Sequence, residues 1–217
     1  MQLISVNIGK ERTIQYAKRS DVTGIYKLPV NEPVQVTPLG LAGDVVSDIK
    51  NHGGLDQALY LYGAADYAWW SDAVGIELTP GTFGENLTIS ELESTQIQIG
   101  DRLYVGTVTL EVTAPRIPCV TLATRMGDPE FVKKFRLAER PGLYCRVLEA
   151  GLVQRGNTVR LERFSGETIS ILEMFRDYYE PKLDIQTPHR YLSAPIAIRA
   201  RLDKEKQLQE ILKPDNM

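Results

Sequence analysis

Leu103-Tyr104-Val105-Gly106-Thr107-Val108-Thr109-Leu110-Glu111-Val112 places apolar residues at alternate positions on both sides of a glycine. Successive strand side chains point to opposite faces, so this spacing predicts two half-buried strands joined by a turn at Gly106. Outward from it, Val34-Gln35-Val36, Ile97-Gln98-Ile99 and Thr158-Val159-Arg160-Leu161-Glu162 repeat the alternation, and Met1 to Val6 reads as a short strand that starts at once. Gly and Pro punctuate these runs at short intervals. Closely spaced short strands with turn residues between them predict a mainly β chain with some α, built as a barrel or sandwich.

Two helices interrupt the strands. One is expected over about Ala64 to Ala73, carrying Trp69 and Trp70, and one around Pro129 to Leu137, with Asp128 as N-cap and Pro129 at the first helical position. After Phe164 the texture changes. Ile171, Leu172, Phe175 and Tyr179 have helical spacing within Glu167 to Tyr179, Pro181 breaks the pattern, a short helix is expected near Pro188 to Leu192, and Ile196 to Leu212 reads as a charged amphipathic helix. Two regions are expected on this basis: residues 1–165 as the β domain and 166–217 as a small C-terminal helical segment.

Bulk properties exclude some functions. A formal net charge of -3 argues against nucleic-acid binding through bulk electrostatics, while leaving room for a local basic pocket. No apolar run approaches the roughly 20 residues needed to cross a bilayer, and the N-terminus lacks a basic region followed by an apolar one, so no secretory signal is expected. With only Cys119 and Cys145, a disulfide framework is excluded, and the expected location is cytoplasmic.

Four segments concentrate reactive or backbone-permissive residues. Gly40-Leu41-Ala42-Gly43-Asp44 leads through Asp48 to His52-Gly53-Gly54, whose paired glycines read either as an anion-binding nest or as a tight connection before a strand over Gln57 to Tyr62. Phe83-Gly84-Glu85-Asn86 sets an acid and an amide on a loop, as ligand contacts or as a plain hairpin entry. In Ala114-Pro115-Arg116-Ile117-Pro118-Cys119, two prolines stiffen the approach to a thiol beside a guanidinium. That setting favours the thiolate, the form that acts as nucleophile or metal ligand. In Arg140 to Val147, Cys145 reads as core, and Arg146 as facing a pocket or solvent.

A zinc site from His52, Cys119, Cys145 and His189 is possible by count but lacks paired short spacings. A Cys119–His52 nucleophile pair, with Asp48 or Glu85 orienting the imidazole, is the stronger rival and would make a cysteine hydrolase or an acyl- or sulfur-transferase.

Taken in order, Thr23-Gly24-Ile25-Tyr26-Lys27, Gly40-Leu41-Ala42-Gly43-Asp44, His52-Gly53-Gly54, Phe83-Gly84-Glu85-Asn86-Leu87, Ile99-Gly100-Asp101 and Pro115-Arg116-Ile117-Pro118-Cys119 resemble the MOSC domain family, in its YiiM-like branch. The resemblance covers nearly the whole β region, and the tail resembles that branch's C-terminal three-helix segment. It implies a β-barrel of the pyruvate-kinase type and a molybdenum cofactor, molybdopterin, with Cys119 as protein ligand to the metal. It implies reduction of N-hydroxylated compounds, such as hydroxylamino base analogues, with electrons from a separate flavoprotein-type donor. The implied roles are proton donation for His52, and contacts to cofactor for Thr23, Lys27, Gly53, Gly54, Glu85, Asn86 and Arg116. An alternative is a sulfur-carrier or cofactor-handling module working with a separate pyridoxal-phosphate-dependent desulfurase. No nucleic-acid or membrane partner is expected, and a homodimer is left open. Where relatives carry an aromatic and a lysine after the cysteine, this chain has Val120 and Thr121, a departure that bears on the substrate pocket.

Overall fold

The computed structural model describes residues 1–16, 20–182 and 184–213. In chain order the elements are β1 (Leu3–Gly9), β2 (Arg12–Gln15), β3 (Ser20–Thr23), β4 (Lys27–Val30), β5 (Val34–Thr37), β6 (Gly40–Leu41), α1 (Ile49–His52), β7 (Leu59–Gly63), α2 (Ala64–Val74) and β8 (Leu87–Ile89). There follow β9 (Arg102–Val105), β10 (Val108–Pro115), α3 (Val120–Met126), α4 (Phe131–Ala138), β11 (Leu143–Glu149), β12 (Gly151–Val153), β13 (Val159–Glu162), α5 (Ile171–Tyr179), α6 (Gln186–Ser193) and α7 (Ile198–Ile211).

The predicted hairpin is β9 and β10. Val105 pairs with Val108, leaving a two-residue turn whose first position, Gly106, has φ +59. Positive φ at that place matches the twist of the flanking strands, and glycine adopts it without steric cost. From this hairpin an eight-stranded sheet extends in the order β13-β9-β10-β11-β7-β8-β1-β4, antiparallel except between β7 and β8. The sheet then closes on itself. Gln2 bridges Thr158, and the Val159 amide donates to the Met1 carbonyl at 2.9 Å while the Leu3 amide donates to the Asn157 carbonyl at 2.9 Å. Closure removes the open edge that a flat sheet would present, and β4 is left as an outer flap on the second half of β1. The architecture is the expected barrel with C-terminal helices.

The half-buried reading of the hairpin holds for β9 and fails for β10, all eight residues of which are buried. One face of β10 looks into the barrel core and α5 packs against this strand. The polar side chains caught there find partners: Thr109 donates to Glu149 at 2.7 Å, and Glu111 pairs with Arg102 and Arg146. Ile97-Gln98-Ile99 is not a strand either. It makes one bridge, Gln98 with Ser170, and then turns at Gly100, where φ is +88, so its two isoleucines are buried by a loop that folds back.

The helix over Ala64–Val74 falls where expected and buries Trp70 among Tyr62, Phe83, Phe131 and Phe135. The next expected helix starts two residues late, at Phe131, because Asp128 closes a turn first, its carboxylate accepting from the Glu130 amide and its carbonyl from Phe131. The helix expected from Glu167 starts at Ile171, where the Ser170 hydroxyl accepts from the Glu173 amide. The short helices α1 and α3 were not foreseen. At 4 and 7 residues they fall below the length at which apolar periodicity shows. Arg146 is partly exposed and does not line the main pocket: it pairs with Asp56 at 3.0 Å and donates to the Pro195 and Ile196 carbonyls, tying the helical segment to the barrel. Among the described residues no helix is long and apolar enough to cross a membrane.

Candidate functional site

A pocket of about 470 Å³ opens where the ends of β7, β10 and β11 meet α1 and the segment joining β3 to β4. That segment reaches it by close backbone approach. A Cβ on Gly24 would stand 1.9 Å from the Val45 carbonyl oxygen, so only glycine lets Thr23 to Lys27 lie along this wall.

The reactive corner is built from β10 outward. Pro115 ends the strand, Arg116 follows, and Pro118 delivers Cys119 in an extended conformation (φ −125, ψ 171) as the residue preceding α3. The stiff segment thus carries Arg116 and Cys119 into one pocket, as its prolines imply. The buried Arg116 guanidinium lies 4.9 Å from the centre of the Tyr60 ring and donates to the Phe83 carbonyl. His52, the last residue of α1, has Nδ1 3.0 Å from the Tyr144 hydroxyl and hydrogen-bonds Cys119. Burial opposes ionisation of Cys119, but the His52 hydrogen bond, the Arg116 charge and the Leu122 amide outweigh it and hold the thiol down at about 6. Burial beside Glu111 pushes the Cys145 thiol in the opposite direction, the core role expected of it.

Alkylation of Cys119 in cofactor-free protein is therefore expected to rise with pH through a midpoint near 6, as the thiolate forms. In His52→Ala the midpoint should move up toward the ordinary cysteine value of about 8.5. At pH 6.5 that change lowers the alkylation rate roughly tenfold or more. An unmoved midpoint would show that the imidazole contributes nothing to the thiolate.

The opposite wall is a buried ionic node. Lys27 pairs with Asp44 at 2.5 Å, with the two side chains 6% and 5% exposed, and Asp44 also accepts from the Gly9 amide at 2.7 Å and the Asn86 amide group at 2.8 Å. Burial drives the Lys27 pKa down and the Arg116 charge adds to this, only partly offset by Asp44. Asn86 is fixed by its side-chain carbonyl, which accepts from the Tyr60 amide. Thr23 lines the pocket and accepts from the Ile25 amide at 3.1 Å.

Of the residues singled out from sequence, Thr23, Lys27, His52, Asn86, Arg116 and Cys119 meet at this pocket. Glu85, Gly53 and Gly54 are not among its lining residues. Glu85 is fully buried, accepts from the Gly81 amide, Tyr67 and Thr88, and has its pKa raised by burial. It braces the loop whose Phe83 carbonyl holds Arg116. The Gly53 amide is spent on the Ile49 carbonyl at 3.2 Å, closing α1, and Gly54 (φ +96) opens the next turn behind the pocket. The pair is the tight connection and not an anion nest. Asp48 caps α1 through the Asn51 amide and does not orient the His52 ring by hydrogen bond; Tyr144 takes that place. Tyr60, Tyr144 and Asp44 had no predicted role, since their importance comes from partners distant in sequence. The zinc set does not assemble, with Cys145 in the core and His189 on α6. Among the described residues no group of three or more His, Cys, Asp or Glu side chains is placed to hold a metal ion.

The architecture and pocket define a MOSC domain: that family's model matches residues 48–160, and the chain belongs to this family. It is 34% identical over 191 residues to the uncharacterized protein YflK of Bacillus subtilis, covering 88% of this chain and 86% of that one. It is 32% identical over 143 residues to a protein named "Reductase" from Gibberella moniliformis, covering 64% of this chain and 25% of that one. The crystal structure of YiiM from Geobacillus stearothermophilus superposes with a TM-score of 0.77 at 30% identity, covering 95% of this chain and 98% of that one, which places the chain in the YiiM-like branch.

MOSC domains are associated with molybdenum-cofactor binding, and the residues here fit such a group. Cys119 offers one soft thiolate, the donor type a sulfur-rich metal centre takes. Arg116 puts positive charge beside it, Lys27 stands ion-paired with Asp44 on the opposite wall, and among the described residues the buried Arg116 Nε–H has no hydrogen-bond partner, a donor left over for an anionic ligand.

Proposed function

We propose that this chain is a molybdenum-cofactor-dependent reductase of N-hydroxylated compounds, hydroxylamino base analogues among them, fed by a separate flavoprotein-type electron donor. The observation that carries the proposal is the Cys119 thiolate, held at about 6 between Arg116 and His52 at the wall of the pocket. The printed name of the Gibberella relative agrees with a reductive role.

In this reading Cys119 holds the metal, and Arg116, Lys27, Asn86 and Thr23 hold the anionic and polar parts of the pterin. When bound, the cofactor supplies the two-electron redox chemistry. The chain supplies protons. Reduction of R–NHOH to R–NH2 and water takes up two electrons from the donor and two protons. With Nδ1 at the Tyr144 hydroxyl and the ring hydrogen-bonded to Cys119, His52 would pass a proton to the departing oxygen by exchanging its Cys119 contact for one to that oxygen. The tyrosine floor, Tyr60 and Tyr144 with ring centres 5.2 Å apart, excludes water on one side.

Holoprotein reduced with an artificial viologen donor should convert a hydroxylaminopurine to the aminopurine. Loaded protein inactive on every N-hydroxylated compound offered would sink the reading. The thiolate–imidazole contact also favours a second reading, a sulfur carrier working with a separate desulfurase. It predicts a Cys119 persulfide, visible by mass spectrometry after incubation with desulfurase and free cysteine.

A further inference from the structure

We propose that Arg199, in the first turn of α7, is a positioning residue that sets His52 against Cys119 and Tyr144, so that the C-terminal helical segment forms part of the site's machinery. The importance of His52 rests on the function proposed above; the clamp itself does not.

Helix α1 cannot hold itself in place. Four residues are too few to offset the cost of nucleating a helix, and none of the four is buried, so no apolar packing anchors it. Asp48 caps its first turn. Its far end, where His52 sits, is held from outside. One guanidinium nitrogen of Arg199 donates to both the Ile49 carbonyl (3.1 Å) and the Gly53 carbonyl (3.2 Å), spanning α1 from first residue to cap. The other donates at 2.8 Å to the Gln57 side chain, itself a lining residue of the pocket. A planar fork with several fixed donors is suited to such a three-point grip, which an ammonium cannot reproduce.

The clamp has a firm base. The Ile198 amide donates to Asp56 at 2.7 Å, Asp56 pairs with Arg146 of β11 at 3.0 Å, and the Ala197 amide donates to the Thr113 carbonyl of β10 at 3.2 Å. The start of α7 is thereby fixed to two barrel strands, and through Arg199 it fixes α1. The groups facing His52 are Asp48 at the N-cap of α1, Tyr144 on β11 and Cys119 ahead of α3, so a displaced α1 loses the Tyr144 and Cys119 contacts together.

The test uses full-length protein without cofactor and needs no turnover, so its failure is separable from failure of the reductase reading. The chain has two histidines, and ring-nitrogen NMR of 15N-histidine protein at one fixed pH therefore gives two sets of signals, assigned with His52→Ala. Arg199→Met, which keeps the aliphatic stem, is expected to shift or broaden the His52 signals and leave those of His189 unchanged. Amide exchange over Ile49 to Gln57 should rise about tenfold or more. Arg199→Lys should fall between wild type and Arg199→Met. Arg201→Met is the control on the same helix, because among the described residues the Arg201 side chain donates to the Leu192 and Ala194 carbonyls and not to α1; it should leave His52 unmoved. Unchanged His52 signals in Arg199→Met would overturn the proposal, as would an equal effect from Arg201→Met. Should Arg199→Met fail to fold, the lysine variant decides alone: an unshifted His52 there overturns the clamp.

Discussion

Cys119→Ser, made in a cofactor-competent host, is expected to fold with an unchanged melting temperature and to lose turnover of N-hydroxylated substrates by a factor of at least about 10³, roughly 4 kcal/mol of transition-state stabilisation. The reasoning is local. Cys119 is half-buried, so a change from sulfur to oxygen leaves packing nearly intact. A serine hydroxyl, unlike the thiol held at about 6, stays protonated near neutral pH and is a hard donor. Arg116 and His52 would then face a neutral group, while Lys27 and Asn86 keep their contacts with Asp44. Molybdenum should therefore be lost with pterin partly retained. A serine variant with wild-type turnover and metal content would show that the thiolate is not the ligand.

Asp44→Ala is expected to give the largest loss of stability, about 3–5 kcal/mol, because it strips the partner from a buried ammonium. Three donors converge on Asp44: the Lys27 Nζ, the Gly9 amide and the Asn86 side chain. Water cannot easily replace it, since both members of the pair are almost fully covered. The pH dependence follows from Lys27. Burial already lowers its pKa, and removing Asp44 deletes the main opposing influence. Between the lowered folded value and the unfolded one, the unfolded chain holds a proton that the folded chain gives up, so stability rises with pH in that window. The deficit of the variant should shrink in alkaline buffer, measured as the urea midpoint at a series of pH values. Lys27→Met/Asp44→Leu should recover much of the loss while leaving the pocket without one of its cations. A deficit independent of pH would point to loop collapse instead of a stranded charge.

How much of this could be read from residues alone differs between fold and site. The hairpin of β9 and β10 was legible because alternation and Gly106 agree over one continuous stretch. Full burial of β10 was not, since it depends on a helix some sixty residues later that packs against it. Ile97-Gln98-Ile99 shows the same limit: two buried isoleucines with a polar residue between them look like a strand whether the cover is a sheet or a loop. In the site, the prolines around Arg116 and Cys119 marked a rigid turn that carries both residues to one place, because the physics is carried by neighbouring positions. Asp44, Tyr60 and Tyr144 gave no such signal. Asp44 gathers partners 17, 35 and 42 positions away, a convergence that only the closed barrel creates. Gly53-Gly54 stayed open between two readings for a related reason. A glycine pair permits both a nest and a tight turn, and the choice is made by which acceptors the fold brings near, here the Ile49 carbonyl.

The central claim is that Cys119, Arg116 and the Lys27–Asp44–Asn86 wall together make a pocket for a thiolate-ligated molybdenum cofactor. The most direct measurement is molybdenum and pterin content per chain, in wild-type protein purified from a host that makes the cofactor. The account predicts one molybdenum and one pterin per chain in the wild type, with the metal lost on Cys119→Ser. Wild-type protein that is folded and carries neither, after expression in such a host, would contradict it.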